Sequence, residues 1–265
     1  MVTLLKFRPR QRAIPADADS PLAVRGLTVA YGQEPVLQSV DFVAPEADLV
    51  AVVGPNGAGK STFIKAVLGL QPRLAGEVSC FGRPVERQRA LIGYVPQRSS
   101  VDWDFPASAL DVVTMGLYGK IGWCRPVRAR HRAEAREFLA QVGMADFAAR
   151  QIGQLSGGQQ QRVFLTRALA QDARLYLMDE PFAGVDAATE RAIVDVLRTL
   201  KSRGRTVLCV HHDLQTAPDY FEHLLLLSGR VVAAGPMATH FTTAALAEAY
   251  GVGVSLIGPA AVRAG

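Results

Sequence analysis

Several features that would assign this sequence to a class at once are missing. Its 265 residues hold three cysteines, Cys80, Cys124 and Cys209, with no CxxC pair. Neither a disulfide framework nor a paired-thiolate metal site is therefore indicated, and buried or indifferent free thiols in a reducing compartment are expected. No apolar run approaches the roughly 18 residues of a membrane span, since "DLVAVVG" and "HLLLLSG" are of strand length. "MVTLLKFRPRQR" passes straight into basic residues without the apolar core of a signal peptide, so a soluble, intracellular chain is expected. Aromatics make up only 7%, and no arginine–aromatic stripe accompanies the net charge of +5. That excess is compatible with nucleic acid or an anionic membrane surface and decides neither. There is no internal repeat.

What is present supports a sizeable core: 49% of the residues are hydrophobic and 20% charged, enough for one large domain or a domain with an inserted subdomain. Residues 1–20 mix Lys6, Arg8, Arg10 and Arg12 with proline and alanine and lack apolar periodicity. They read as a flexible basic tail, either solvated or touching anionic lipid. The β-like runs "LAVRGLTVAY", "PVLQSVDFVA" and "DLVAVVG" follow, then a helix from Lys60 to Leu68, then "GEVSCFG" and "ALIGYVPQ". From about residue 98 to 171 a helical block intervenes, with "RHRAEAREFLAQVG" its most amphipathic piece. Alternation returns with "RLYLMDEP", a helix from Ala187 to Lys201, "TVLCVHH", and a hairpin "HLLLLSGRVVAAG" turning at Ser-Gly. Strand–helix–strand order predicts an α/β fold on a mainly parallel sheet, with the helical block as an insertion. A domain over 21–250 and a short C-terminal tail over 251–265 are expected.

"GPNGAGKST" lies between a buried-type strand and a helix and matches GxxxxGK[ST]. Gly54, Pro55, Asn56, Gly57, Ala58 and Gly59 form a loop whose backbone N–H groups can wrap a phosphate chain. Lys60 supplies a point charge to the terminal phosphates, and the Ser61 hydroxyl, followed by Thr62, can ligate Mg²⁺. "RLYLMDEP" carries two acids at the end of an apolar strand, where a parallel sheet delivers them beside such a loop. Asp179 is the expected Mg²⁺ partner, and Glu180 is placed to hold or deprotonate an attacking water; alternatively the pair caps the following turn. His212, ending "VLCVHH", could donate to a γ-phosphate, with His211 facing the opposite side of the strand.

A second anion-binding helix start, "QLSGGQQQR", has exposed backbone N–H groups but no lysine. Together with "YVPQ" ending at Gln97, "LYLMDE" and "AGVD" ending at Asp186, it brings a resemblance into view. Over about residues 22–250 the chain resembles the ATP-binding subunits of ABC transporters, with an ABC ATPase-type core, an N-terminal antiparallel β part and an inserted helical subdomain implied. The resemblance implies ATP and Mg²⁺ as cofactors, with Gln97 near both the metal and the catalytic centre and Tyr31 stacking on adenine. It also implies that two copies meet head to tail, so that Ser156, Gly157, Gly158 and Gln159 of the signature cover the nucleotide on the partner's loop, with Asp186 at the dimer contact. Two different half-sites on one chain are what a two-fold dimer needs. Ala183 stands where many members have serine, which leaves the hydrogen bonding of that turn open.

Further partners follow from the family: integral-membrane permease subunits, an extracytoplasmic solute-binding protein acting indirectly, and a peripheral place on the cytoplasmic side of the cell membrane. No nucleic-acid partner is expected. The permease's coupling helix would dock between Gln97 and the signature, where Trp103 and Phe105 sit beside Asp102 and Asp104. Those aromatics line a docking groove or cap the subdomain's own core. "VDWDFP" followed by "DVVTMG", and "DEPFAGVD", are similar to the manganese/zinc/iron branch, implying metal uptake. Alternatives are another cargo such as an iron complex or haem, export, or a non-transport ABC ATPase acting on nucleic acid or ribosomes. The last usually carries a long coiled coil or two ATPase halves, neither of which is seen here.

Overall fold

The computed structural model describes residues 19–122 and 124–251; all but the last two residues of the basic N-terminal tail, Trp123 and all but the first residue of the C-terminal tail lie outside the described residues. Strands β1 (Ala23–Tyr31), β2 (Glu34–Val43) and β3 (Leu49–Val53) precede helix α1 (Lys60–Val67). Then come β4 (Ala75–Cys80), β5 (Arg83–Pro84), β6 (Ile92–Val95), α2 (Ala109–Gly116), α3 (Tyr118–Ile121), α4 (Ala129–Gln141) and α5 (Gly157–Ala170). The chain continues through β7 (Leu175–Met178), α6 (Ala187–Ser202), β8 (Thr206–Val210), α7 (Ala217–Tyr220), β9 (His223–Leu227), β10 (Val231–Pro236), α8 (Met237–His240) and α9 (Thr243–Tyr250).

Two sheets result. An antiparallel sheet runs β2-β1-β4-β5, and a six-stranded sheet runs β10-β9-β3-β8-β7-β6, parallel except where β10 folds back on β9. The central strands β3, β7 and β8 are buried at every residue, as a parallel sheet covered on both faces requires. Alternate residues serve different layers. Val50, Val52, Leu208, Val210, Leu225 and Leu227 pack with α1 and the antiparallel sheet. Leu49, Ala51, Val53, Val207, Cys209 and Leu224 pack with α5 and α6. Phe63 of α1 sits edge-on to Phe42 of β2, their ring centroids 6.4 Å apart, and joins the two sheets.

The helical block has its own buried cluster, including Val113, Leu117, Leu139, Met144 and Val163. Helices α2 and α5 approach closely, because a Cβ on Gly116 would collide with the Arg167 carbonyl oxygen. The piece expected from the sequence to be the most amphipathic, α4, is less so than α2: it buries only Ala135 and Leu139 and is a largely solvated cover, whereas α2 buries six of its eight residues. Cys80 and Cys209 are buried free thiols and Cys124 is exposed. Burial pushes the Cys80 thiol up to about 12 and that of Cys209 well above its usual range. Among the described residues no helix is long and apolar enough to cross a membrane.

Because Phe63 has no exposed surface and bridges two layers, Phe63→Ala is expected to destabilise the chain by about 3–5 kcal/mol in denaturant unfolding. A loss below about 1 kcal/mol would mean the layers hold together without it.

Candidate nucleotide site

The loop Gly54–Gly59 joins the end of β3 to the start of α1. Gly54 lies so close to β9 that a Cβ there would collide with the Leu227 carbonyl oxygen. Gly59 caps α1 at φ 91° with no side-chain hydrogen bond, so the first-turn N–H groups are left to face a ligand. A buttress that sequence patterns do not reveal comes from the β9–β10 turn, where Gly229 N donates to Ala58 O at 3.1 Å. Lys60 is buried, and its Nζ donates to Gly54 O at 2.7 Å and Pro55 O at 2.9 Å. Burial lowers its pKa, while Glu180 and Asp179 work the other way.

The strand-end acids reach the same place. Asp179 N donates to Val95 O at 2.9 Å, carrying the β6–β7 ladder one residue further. Its carboxylate has no exposed surface; Oδ1 accepts from Ser61 Oγ at 2.8 Å, and Oδ2 has no partner. Burial raises its pKa against the Ser61 hydrogen bond, with Glu180 adding to the rise. A buried unpartnered carboxylate oxygen beside a serine hydroxyl is a hard oxygen donor set and fits a Mg²⁺ ion. Glu180 adopts φ 54°, in the left-handed region, and its Oε2 accepts from Gln97 Nε2 at 2.9 Å. Phosphate loop, Asp179, Glu180 and Gln97 thus converge at the C-terminal ends of β3, β7 and β6, where open α/β sheets hold ligands.

The two histidines divide as their parity predicts. His212 is exposed just past β8. His211 is buried against Phe182 and Phe221, at ring centroid distances of 5.1 and 5.4 Å, with Nε2 on Thr216 Oγ1 at 2.9 Å and Nδ1 unpartnered. Burial pushes the His211 pKa down to about 4. Tyr31 ends β1 opposite Glu34 and is 49% exposed.

Ser156 caps α5 through a reciprocal box: its Oγ accepts from Gln159 N at 3.4 Å, and Gln159 Oε1 accepts from Ser156 N at 2.9 Å. The amides of Gly157 and Gly158 have no partner within the helix. Leu155 anchors this start in the helical layer's core, and Gly158 faces Thr189 of α6. Among the described residues no hydrogen bond joins Ser156–Gln159 to Gly54–Thr62. Asp186 is exposed and caps α6, accepting from Thr189 N at 2.7 Å, a bond that lowers its pKa. Trp103 and Phe105 part company: Trp103 packs edge-on to Phe164 at 5.1 Å and donates from Nε1 to Arg98 O at 2.9 Å, whereas Phe105 is 55% exposed. Arg98 and the buried Gln160, which sequence reasoning did not single out, meet at 3.0 Å beside the start of α5.

A phosphate loop, buried strand-end acids and a second helix start carried on an inserted helical layer define a P-loop ATPase. The family model described as ABC transporter matches residues 37–183, and the chain belongs to that family. It is 57% identical over 232 residues to the zinc transport system ATP-binding protein of Treponema pallidum, covering 88% of this chain and 87% of that one. It is likewise 57% identical over 231 residues to the manganese transport system ATP-binding protein of Bacillus subtilis, covering 87% and 92%. Among solved structures it is similar to a dimeric ATP-binding cassette in a post-hydrolysis state bound to ADP and Pi, with TM-score 0.73, 29% identity, and coverage of 81% of this chain and 98% of that one.

The folded pKa of His211 lies below the ordinary value of 6.5, at about 4, so the folded state favours the neutral ring. The stability this contributes is present above pH 6.5 and lost as pH falls toward 4, because the unfolded chain binds the extra proton. His211→Gln is expected to flatten the fall in melting temperature across that interval. An unchanged slope would assign the acid sensitivity to other groups.

Proposed function

We propose that this chain is the ATP-hydrolysing subunit of a membrane transporter that takes up a divalent transition metal, manganese, zinc or iron, through separate permease subunits. The observation that carries the cargo is the 57% identity, over most of both chains, with zinc and manganese transport system ATP-binding proteins. In this reading Gly54–Thr62 wrap the phosphates of ATP, Lys60 turns from the loop carbonyls to the terminal phosphates, and Tyr31 stacks on adenine. Ser61, Asp179 and Gln97 would hold Mg²⁺, which when bound neutralises charge on the β- and γ-phosphates. Glu180 polarises the attacking water as general base, oriented by Gln97, and His212 donates to the γ-phosphate.

Ser156, Gly157, Gly158 and Gln159 close on the nucleotide held by a second copy, with Asp186 at the contact between copies. The absence, among the described residues, of any hydrogen bond between Ser156–Gln159 and Gly54–Thr62, and the similarity to a dimeric cassette, support this arrangement. ATP then favours the closed pair and hydrolysis releases it, a ligand-biased two-state element. The subunit sits peripherally on the cytoplasmic side of the cell membrane. Exposed Phe105, Met115 and Tyr118 on the helical layer suit the permease contact, and a solute-binding protein delivers the metal from outside.

Glu180→Gln is expected to retain ATP binding while turnover falls by roughly 10²–10⁴-fold, the usual worth of a positioned base. Near-normal hydrolysis would remove Glu180 from that role. For the cargo, cells carrying Lys60→Ala at the native locus and grown under metal limitation are expected to lose one of Mn, Zn or Fe, with restoration by the wild-type gene. Unchanged levels of all three metals would overturn the metal assignment.

A further inference from the structure

We propose that Arg98 is a positioning residue that fixes the signature helix start relative to the Gln97–Glu180 pair, so that the two half-sites on one chain are set together. This rests on the proposed role of Ser156–Gln159 toward a second copy. Arg98 directly follows Gln97, whose amide holds Glu180 at 2.9 Å. On its other side, Arg98 Nε donates to Gln160 Oε1 at 3.0 Å. Gln160 is only 3% exposed, and its Nε2 donates to Ile152 O at 3.1 Å, in the turn leading to the signature. A continuous set of hydrogen bonds and peptide links therefore runs from Glu180 through Gln97, Arg98 and Gln160 to the segment that presents Ser156.

The arginine is held as well as connected. Its guanidinium lies against the helix start, where a Cβ on Gly157 would stand 3.1 Å from Cζ. Trp103 braces it: the indole donates to Arg98 O at 2.9 Å, the ring lies 5.8 Å from the guanidinium, and the same ring packs on Phe164 of α5. Among the described residues no carboxylate pairs with Arg98 within 4.0 Å. A cation beside the positive end of a helix, with no counter-charge of its own, gains nothing from the helix dipole. Its orientation is set by Gln160 and Trp103, and any shift of Gln97 away from α5 must break or drag the Gln160 contact.

The test uses the full chain with Arg98→Ala, Gln160→Leu and both together. Three measurements are made on each: nucleotide affinity by calorimetry, kcat and KM for ATP hydrolysis, and ATP-driven dimerisation by light scattering in a Glu180→Gln background. Arg98→Ala is expected to leave the nucleotide affinity of the single chain unchanged while kcat falls by about tenfold or more, as misplacement of reacting groups does, and KM rises with the ATP needed to form the pair. Its dimer should form only at higher ATP. The double variant should be no worse than the worse single one, the non-additivity of one shared contact. Melting temperatures keep a misfolded Gln160→Leu from being counted. ATP-driven dimerisation of the Glu180→Gln chain together with normal hydrolysis by Arg98→Ala would overturn the role of Arg98 alone, as would losses that multiply in the double variant. Hydrolysis by the wild type, with no ATP-driven dimer of the Glu180→Gln chain, would overturn the shared half-site reading and this one with it.

Discussion

Asp179 carries a carboxylate with no exposed surface, and only one of its oxygens meets a hydrogen-bond donor. Holding an ionised carboxylate out of water costs several kcal/mol unless charge or hydrogen bonds offset it. The surroundings follow from that demand. Strand β7 must be buried on both faces to deliver the group, Ser61 must stand at the start of α1 to donate to it, and Lys60 and Lys65 must lie near enough to oppose the rise in its pKa. Glu180, next in the chain, adds a second negative charge that raises the Asp179 pKa further. Its backbone is left-handed, and its side chain meets the Gln97 amide. The phosphate loop and the acid pair are thus one electrostatic unit, which under the proposed function takes a cation and an anionic ligand together.

The helical layer obeys a different constraint. Its buried cluster is separate from the two that sandwich the parallel sheet, and partly buried Val196 borders both layers. A helix start whose cap is a self-contained Ser156–Gln159 box needs nothing from its own phosphate loop to stay formed. Under the proposed function this lets the signature be ready for a second copy before ATP arrives, so ligand energy goes into closing the pair and not into building the half-site.

Much of this was legible in the sequence, for identifiable reasons. Strands such as "LVAVV" and "LYLM" are apolar throughout, and their neighbours are turns, so their placement in a covered sheet needs no tertiary information. The parity of His211 and His212 told which ring faces inward. It could not supply Phe182 and Phe221, which arrive from other elements. The helical block was readable as helix, yet α4 showed why spacing does not measure burial: Ala135 and Leu139 repeat at helical period, and nothing local says that the other faces stay in water. Trp103 and Phe105 stand two residues apart in one exposed loop, and only Phe164, from α5, decides that the first is packed and the second is not. Arg98 and Gln160 are 62 positions apart, and their meeting is a property of the folded chain alone.

The cysteines have a practical side. Cys80 and Cys209 are sealed in the two sheet cores, and their thiols are pushed far from the pKa at which a reactive thiolate would be populated at neutral pH. Cys124 is exposed, in the turn after α3 on the helical layer. A maleimide reagent applied to the folded protein therefore marks one position, without any cysteine having to be removed. A fluorophore or spin label carried there would report the movements of the helical layer in the natural sequence.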